Sequence, residues 1–190
     1  MLIEAIDVAL RSIDPRYCEL SKIIYSQSEV SEYLAEEKYL ERPFAYEFYH
    51  QFRKLLDEGR IDFGGSVIQA EVDKRYQHLE GLGKIPDFIL HTPHSTDSNL
   101  AVIEFKLASN FRKSLESDLI KLVAFKRTEV TRYKYLVEVI IGNANDLADA
   151  WERIDNLKSD VGEEILIFGF DPPERGTELR SIFFEPNGAI

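Results

Sequence analysis

The 190-residue chain contains one cysteine, Cys18. It cannot form a disulfide within the chain, so a reducing compartment such as the cytoplasm is expected, with Cys18 as a small buried hydrophobic residue. No apolar run approaches the roughly 18 residues needed to cross a bilayer. The start, MLIEAIDVALRSID, lacks the basic segment of a signal peptide. These absences predict a protein that neither spans a membrane nor depends on disulfides.

Positive charge is also scarce, because 23 basic residues stand against 34 acidic ones, a net charge of −11. Such a balance argues against a protein that coats nucleic acid through a broad basic surface. The distribution is uneven, however, since residues 111–134 contain seven basic and three acidic residues. This segment is predicted to be either an ordinary solvated helix face or a local strip that faces phosphates.

Several catalytic signatures are missing. The chain has no Cys/His cluster with zinc-ligand spacing, no P-loop, and no G-x-G-x-x-G or G-x-S-x-G pattern. With 44% apolar and 30% charged residues, the composition is that of a globular protein. The length suits one domain with a small terminal appendage.

The spacing of apolar residues predicts a mixed α/β domain. Helices are predicted over 2–13, from Ser28 or Ser31 onward, and over 41–58, 111–129 and 145–158. Strands are predicted over 67–72, 85–90, 101–107, 133–141, 164–170 and 178–184. The order of helix, three strands, helix, strand, helix and two strands is not the alternating winding of a Rossmann fold. Residues 1–40 are predicted to form an N-terminal helical extension to a domain over 41–190.

The strand AVIEFKL (101–107) carries two charged residues in an otherwise apolar run. Side chains alternate between the two faces of a strand, so Glu104 and Lys106 share one face. If the strand is central, both need partners, water or a metal. The alternative is an edge strand with a solvated polar face.

A second carboxylate is predicted to lie beside Glu104. In IPDFIL (85–90), Asp87 shares a face with Ile85 and Ile89. If residues 91–100 form the intervening loop, a symmetric hairpin pairs residues whose numbers sum to 191, which places Asp87 opposite Glu104. Like charges directly opposite each other are destabilising. A cation, either Lys106 or a divalent metal, is therefore expected between them.

The predicted helices supply further candidates. On helix 41–58, Glu47 and Gln51 lie one turn apart at the edge of the buried stripe; Glu47 is either a third carboxylate aimed at the sheet or a snorkelling residue. On helix 111–129, Asp118 lies within the apolar stripe and Lys121 beside it, where Lys121 either reaches a phosphate or is solvated. Glu71 is a possible ligand or an exposed edge residue.

Together these residues resemble the PD-(D/E)XK nuclease superfamily, which has the restriction-endonuclease-like fold. The superfamily pattern of a proline-aspartate on one strand and an acidic-x-lysine on the next is matched by Pro86-Asp87 and Glu104-Phe105-Lys106. The acidic residue on the preceding helix is matched by Glu47. The stretch from Asp118 to Lys121 resembles a helix motif of many members. The resemblance spans a core over 41–142 and implies an αβββαβ fold with helices on both faces.

The resemblance implies a metal-dependent nuclease that hydrolyses phosphodiester bonds, with DNA as a substrate in preference to RNA. Asp87, Glu104 and Glu47 would hold Mg²⁺, or alternatively Mn²⁺, because hard oxygen ligands suit these ions. Lys106 would orient the attacking water or stabilise the transition state. Gln51 and Lys121 would contact the substrate.

Two further hypotheses are compatible with the sequence. In the first, the chain is a catalytically inactive scaffold or regulatory binding protein that keeps the fold, and the net charge of −11 favours this hypothesis. Alternatively, it is an α/β domain of unrelated function. A homodimer or a recruiting protein partner is compatible with each hypothesis. His50 is expected to be exposed, and His91 and His94 are expected to be loop residues.

Overall fold

The computed structural model describes residues 1–18, 40–71, 85–95, 99–129 and 131–186, with only the backbone described over 110–114. The helices are α1 (Leu2–Arg11), α2 (Glu41–Asp57), α3 (Phe111–Arg127) and α4 (Ala144–Leu157). The strands are β1 (Val67–Ala70), β2 (Phe88–His91), β3 (Asn99–Leu107), β4 (Tyr135–Ile141), β5 (Glu163–Asp171) and β6 (Gly176–Phe184). The helix predicted from Ser28 or Ser31 lies outside the described residues.

The six strands form one mixed sheet in the order β1-β2-β3-β4-β5-β6. The pairs β1–β2, β2–β3 and β5–β6 are antiparallel, whereas β3–β4 and β4–β5 are parallel. The predicted class, a mixed α/β domain, is therefore confirmed. The edge-strand alternative for residues 101–107 is wrong, because β3 lies between β2 and β4.

The register predicted for the hairpin is also observed. Phe88 pairs with Ile103, Ile89 with Val102 and Leu90 with Ala101, and each pair of numbers sums to 191. A register shift follows between Leu90 and His91, a position beyond the part of the hairpin that carries the candidate carboxylates.

Helices cover both faces of the sheet. One face, here called the first face, packs against α1 and α2 through apolar residues that include Ile103, Phe105 and Leu107. The other, the second face, packs against α3 and α4 through apolar residues that include Val102 and Ile140. Helix α1 is part of this core, because Ile6, Ala9 and Leu10 are fully buried in it.

Local sequence features explain where the helices end and how closely they pack. Helix α2 stops before Gly59, whose φ of +67° is a backbone conformation that glycine adopts at little cost. Asn143 caps α4 by accepting hydrogen bonds from two backbone N–H groups of the first turn. On β5, a Cβ atom at Gly169 would lie only 2.7 Å from the Trp151 ring, so this glycine lets α4 rest directly on the sheet.

Other features of the fold bear on the predictions. Cys18 is buried, as expected. Phe183 is 49% exposed, because it lies on the edge strand β6. None of the described helices is long and apolar enough to cross a membrane.

Candidate active site at the second face of β2 and β3

The site begins at β3. Alternation along this strand puts Glu104 and Lys106 on the second face with Val102, since Ile103, Phe105 and Leu107 belong to the first-face core. Because β3 is central and covered by α3, both charged side chains are withdrawn from water: Glu104 is only 4% exposed. Buried charges of this kind require partners.

Asp87 directly precedes β2 and reaches β3. Its Oδ2 accepts a hydrogen bond from the backbone N–H of Phe105 at 2.8 Å, and its backbone carbonyl accepts one from the N–H of Glu71 at 2.9 Å. The hydrogen bond from Phe105 places the Asp87 carboxylate beside the residue that lies between Glu104 and Lys106 on β3. Asp87, Glu104 and Lys106 therefore converge, as the sequence predicts.

Lys121 of α3 is the partner of Glu104. Its Nζ lies 2.5 Å from Oε1 of Glu104 and donates a 2.8 Å hydrogen bond to the carbonyl oxygen of Ile85. Lys121 is only 9% exposed, so it is neither solvated nor on an open surface. Its observed contacts are with the protein itself, and the substrate contact expected from the sequence stays a prediction.

Lys106 is held by two other carboxylates. Its Nζ lies 3.1 Å from Oδ2 of Asp118 on α3 and 4.0 Å from Oε2 of Glu41 at the start of α2. Glu41 also accepts a 3.3 Å hydrogen bond from the backbone N–H of Leu107. The Lys106 ammonium is thus fixed between the helices that cover the two faces.

Glu138 on β4 joins the site, although it was not among the residues singled out from the sequence. It pairs in the parallel ladder with Glu104, so both carboxylates lie at the same level of the sheet. Glu138 is fully buried, and neither of its carboxylate oxygens has a hydrogen-bond partner among the described residues. A signal was present, since Glu138 is the only charged residue of the apolar strand YLVEVII.

The crowding of carboxylates changes their acidity. Burial, reinforced by Asp87, raises the pKa of Glu104 to about 8 against the opposing effect of Lys121. Burial raises the pKa of Glu138 well above its ordinary range, and Asp118 and Glu104 act in the same direction. Burial also raises the pKa of Asp87, against the hydrogen bond from Phe105. The site therefore favours protons or cations.

Lys106 remains a cation in these surroundings. Burial acts to lower the pKa of its ammonium group, but Asp118 and Glu41 outweigh burial, and the pKa is raised above its ordinary value. An ammonium that keeps its proton cannot accept one from water at neutral pH. Lys106 is therefore suited to stabilising negative charge and to orienting a polar ligand.

We expect the stability of the metal-free protein to fall as the pH rises from about 4.5 to about 8. In this window the folded state holds a proton on Glu104 that the unfolded chain has released, because the folded pKa is about 8 and the ordinary value is about 4.3. The free energy of unfolding then falls by up to about 1.4 kcal/mol per pH unit for this group. Urea denaturation in the presence of a chelator measures the slope.

The control for this experiment is Glu104→Gln, which cannot titrate. Its stability should depend less steeply on pH in the same window, with the remaining slope due to groups such as Glu138. Equal slopes for the wild type and Glu104→Gln would contradict the assignment.

The two α2 residues predicted for the site are placed differently. Gln51 Nε2 donates a 2.7 Å hydrogen bond to Oε1 of Glu47, and no contact described for either residue joins it to Lys106. The acidic residue of α2 that approaches Lys106 is Glu41, at the helix start. Sequence periodicity singled out Glu47 because it lies at the edge of the buried stripe, whereas the contacts with Lys106 and with the backbone N–H of Leu107 are made by Glu41, the first residue of α2.

The histidine side chains and the Glu71 side chain have no described contact with the charged groups of this site. His50, His94 and Glu71 are exposed, which confirms the expectation for His50 and the exposed alternative for Glu71. His91 ends β2 and hydrogen-bonds Gln69 of β1 at 2.7 Å, so it is a strand residue and not the loop residue expected.

Three basic residues of segment 111–134 are paired with the protein's own carboxylates. Lys121 is buried against Glu104, and Lys126 and Arg127 form ion pairs with Glu163. Arg132 and Lys134 are exposed, and Lys134 lies over the ring of Tyr135. The positive charge of the segment is thus reduced by these pairs, and a phosphate-facing strip stays a prediction.

The donor set fits a divalent cation bound mainly through water. No three Asp, Glu, His or Cys side chains within the described ranges lie close enough together to hold an ion. Mg²⁺ needs only one or two carboxylates and keeps several water ligands, and Asp87 and Glu104 meet this requirement. The unpartnered oxygens of Glu138 show that the site has acidic capacity that its two lysines do not neutralise.

Comparison with known proteins adds no relative to this description. The chain matches no protein-family model, no curated protein and no solved structure. Evidence for the function of the protein therefore comes from its residues and their geometry.

Proposed function

We propose that the protein is a metal-dependent nuclease of the PD-(D/E)XK superfamily that hydrolyses phosphodiester bonds, in DNA rather than RNA. The observation that carries the proposal is the meeting of Asp87, Glu104 and Lys106 on one buried face of a central β-hairpin. The element order from α2 to β4 is helix, three strands, helix, strand, which agrees with the restriction-endonuclease-like core.

The carboxylates and the lysine of the site would have different roles in the reaction. Asp87 and Glu104 would hold Mg²⁺ or Mn²⁺, which when bound supplies a water of lowered pKa and neutralises charge on the phosphate. Lys106 keeps its proton and points its ammonium toward the same face, where it stabilises the negative charge that develops on the phosphoryl oxygens. Asp118 and Glu41 position Lys106 by holding its ammonium group.

Lys121 is a positioning residue in this proposal. It binds Glu104 and the carbonyl oxygen of Ile85, which ties α3 to the chain segment just before Asp87. The lysine thereby keeps the two metal-binding carboxylates close together before a cation enters. Its role differs from that of Lys106, although both are lysines on the same face.

The test is a cleavage assay on single- and double-stranded DNA and on RNA. Purified protein is incubated with Mg²⁺, with Mn²⁺ and with a chelator. We expect cleavage of DNA that requires the added cation and stops with the chelator. Chelator-insensitive cleavage would overturn the site assignment, and a protein inactive on every substrate with either cation would overturn the nuclease proposal.

A second candidate function is a scaffold or regulatory binding protein that has kept the fold. It is favoured by the ion pairs that engage both lysines and by the paired basic residues of segment 111–134. On this hypothesis the protein cleaves no nucleic acid and its carboxylates bind no Mn²⁺. The assays described here therefore separate the two candidates.

The two acidic residues of α2 are expected to differ in their effect on cleavage. Glu41→Gln removes a carboxylate that lies 4.0 Å from the Lys106 ammonium, so the rate should fall several-fold and its pH profile should shift at the alkaline limb. Glu47→Gln makes the same chemical change one to two turns along the helix and should leave the rate within about twofold. Initial rates across a pH series measure both effects.

A greater loss of cleavage rate in Glu47→Gln than in Glu41→Gln would contradict the positioning role of Glu41. It would favour Glu47, the helix carboxylate chosen from the sequence.

A further inference from the structure

Glu138 is the most poorly compensated charged group in the described part of the chain. It is fully buried on β4, and neither carboxylate oxygen has a hydrogen-bond partner among the described residues. Burying a polar group without a partner is unfavourable, and more so when the group is charged. An apolar residue would fit this strand at lower cost, so the carboxylate requires a functional explanation.

The position of Glu138 points into the site. Glu104 is its direct partner in the parallel ladder, and neighbouring strands lie about 4.8 Å apart. Both side chains project from the second face toward α3, which carries Asp118. Two carboxylates at this spacing can share one ion, since metal–oxygen distances are about 2.0–2.6 Å.

The charge balance of the second face agrees with a cation. Four carboxylates, those of Asp87, Glu104, Asp118 and Glu138, stand against the two ammonium groups of Lys106 and Lys121. With Glu41, which also lies beside Lys106, the carboxylates outnumber the ammonium groups by five to two when all are ionised. The raised pKa values of Glu104 and Glu138 mean that bound protons relieve part of this excess in the metal-free protein, and a cation would relieve it in their place.

We propose that Glu138 is an outer-sphere ligand of the cation site, a carboxylate that holds the water molecules of the bound ion beside Glu104 from the neighbouring strand. The inference rests on the proposed function and adds to it a residue outside the proline-aspartate and acidic-x-lysine pattern. With Glu138, the cation is held between β3 and β4 as well as at the β2–β3 hairpin. Binding would then also restrain the parallel half of the sheet.

The test measures Mn²⁺ affinity directly, by electron paramagnetic resonance titration of the full chain without nucleic acid. Glu138→Gln keeps the shape and removes the charge, and we expect it to weaken Mn²⁺ binding by about tenfold or more. The matched control is Glu152→Gln, the same change at an exposed position of α4, for which affinity should stay within about twofold.

A second variant tests whether weaker Mn²⁺ binding results from loss of folding. Glu138→Leu suits a fully buried strand position, so in chelator its melting temperature should equal or exceed that of the wild type, while its Mn²⁺ binding should be as weak as that of Glu138→Gln. A protein that gains stability but loses the cation has lost a ligand and not a structural support.

The outcomes separate this inference from the proposed function. If Asp87→Asn weakens Mn²⁺ binding but Glu138→Gln and Glu138→Leu bind it as the wild type does, the role of Glu138 is refuted and the nuclease proposal stands. If the wild type itself binds no Mn²⁺, both proposals fail.

Discussion

Asp87→Asn is expected to lower the rate of Mg²⁺-dependent DNA cleavage by at least about 100-fold. The substitution keeps an oxygen that can accept the hydrogen bond from the Phe105 N–H, so the local structure should persist while a charged metal ligand is lost. Lys106→Met should cause a loss of the same order, because it removes the ammonium that faces the developing charge. Initial rates at saturating Mg²⁺ measure both variants.

The controls repeat each chemical change at an exposed position. Asp160→Asn removes a surface carboxylate and Lys54→Met a surface ammonium, and both should cleave at rates within about twofold of the wild type. Cleavage that survives in Asp87→Asn and Lys106→Met at the rates of these controls would show that the catalytic centre lies elsewhere.

Lys121→Met is expected to destabilise the metal-free protein by about 3 kcal/mol at mildly alkaline pH, because breaking a buried ion pair leaves an uncompensated charge. The charge left behind is that of Glu104, which lies 2.5 Å from the lysine ammonium. With Lys121 in place, the pKa of about 8 leaves about half of Glu104 ionised near pH 8, and loss of the lysine either leaves this charge unpaired or forces the carboxyl group to take up a proton. Urea denaturation measures the change in the free energy of unfolding.

A double variant tests the physical cause. In Glu104→Gln/Lys121→Met both members of the ion pair are replaced by neutral side chains, so its stability should lie well above that of Lys121→Met alone. Lys126→Met, which removes a more exposed ammonium with 31% of its side chain accessible, should change stability by less than about 1 kcal/mol. A Lys121→Met protein as stable as Lys126→Met would contradict the internal pairing and restore the substrate-binding role predicted for Lys121.

For residues close together along the chain, the face of the strand and the pairing partner could be predicted from the sequence. Alternation on a strand has a period of two, so the shared face of Glu104 and Lys106 follows from AVIEFKL alone. The β2–β3 register also follows from sequence, because a symmetric hairpin has one free variable, the length of its loop. These two local rules bring Asp87 to the other two residues without any knowledge of the rest of the fold.

Contacts between distant elements were harder to predict. Choosing between Glu41 and Glu47 depends on where α2 starts relative to the end of β3. The spacing of apolar residues within a helix gives no information about the distance between that helix and a strand. For Lys121, its place beside the buried stripe fits solvation, phosphate binding and internal pairing equally well. Only the distance between α3 and β3 selects the pairing with Glu104.

The class of fold, the order of the elements from α2 onward and the meeting of Asp87, Glu104 and Lys106 could be predicted from the amino-acid sequence, because strand alternation and hairpin symmetry are local properties of the chain. The tertiary structure alone decided that Lys121 neutralises Glu104, that Glu41 reaches Lys106 and that Glu138 lies beside Glu104. Each of these depends on the packing of elements far apart in sequence, where the distance between side chains and their removal from water set the energy.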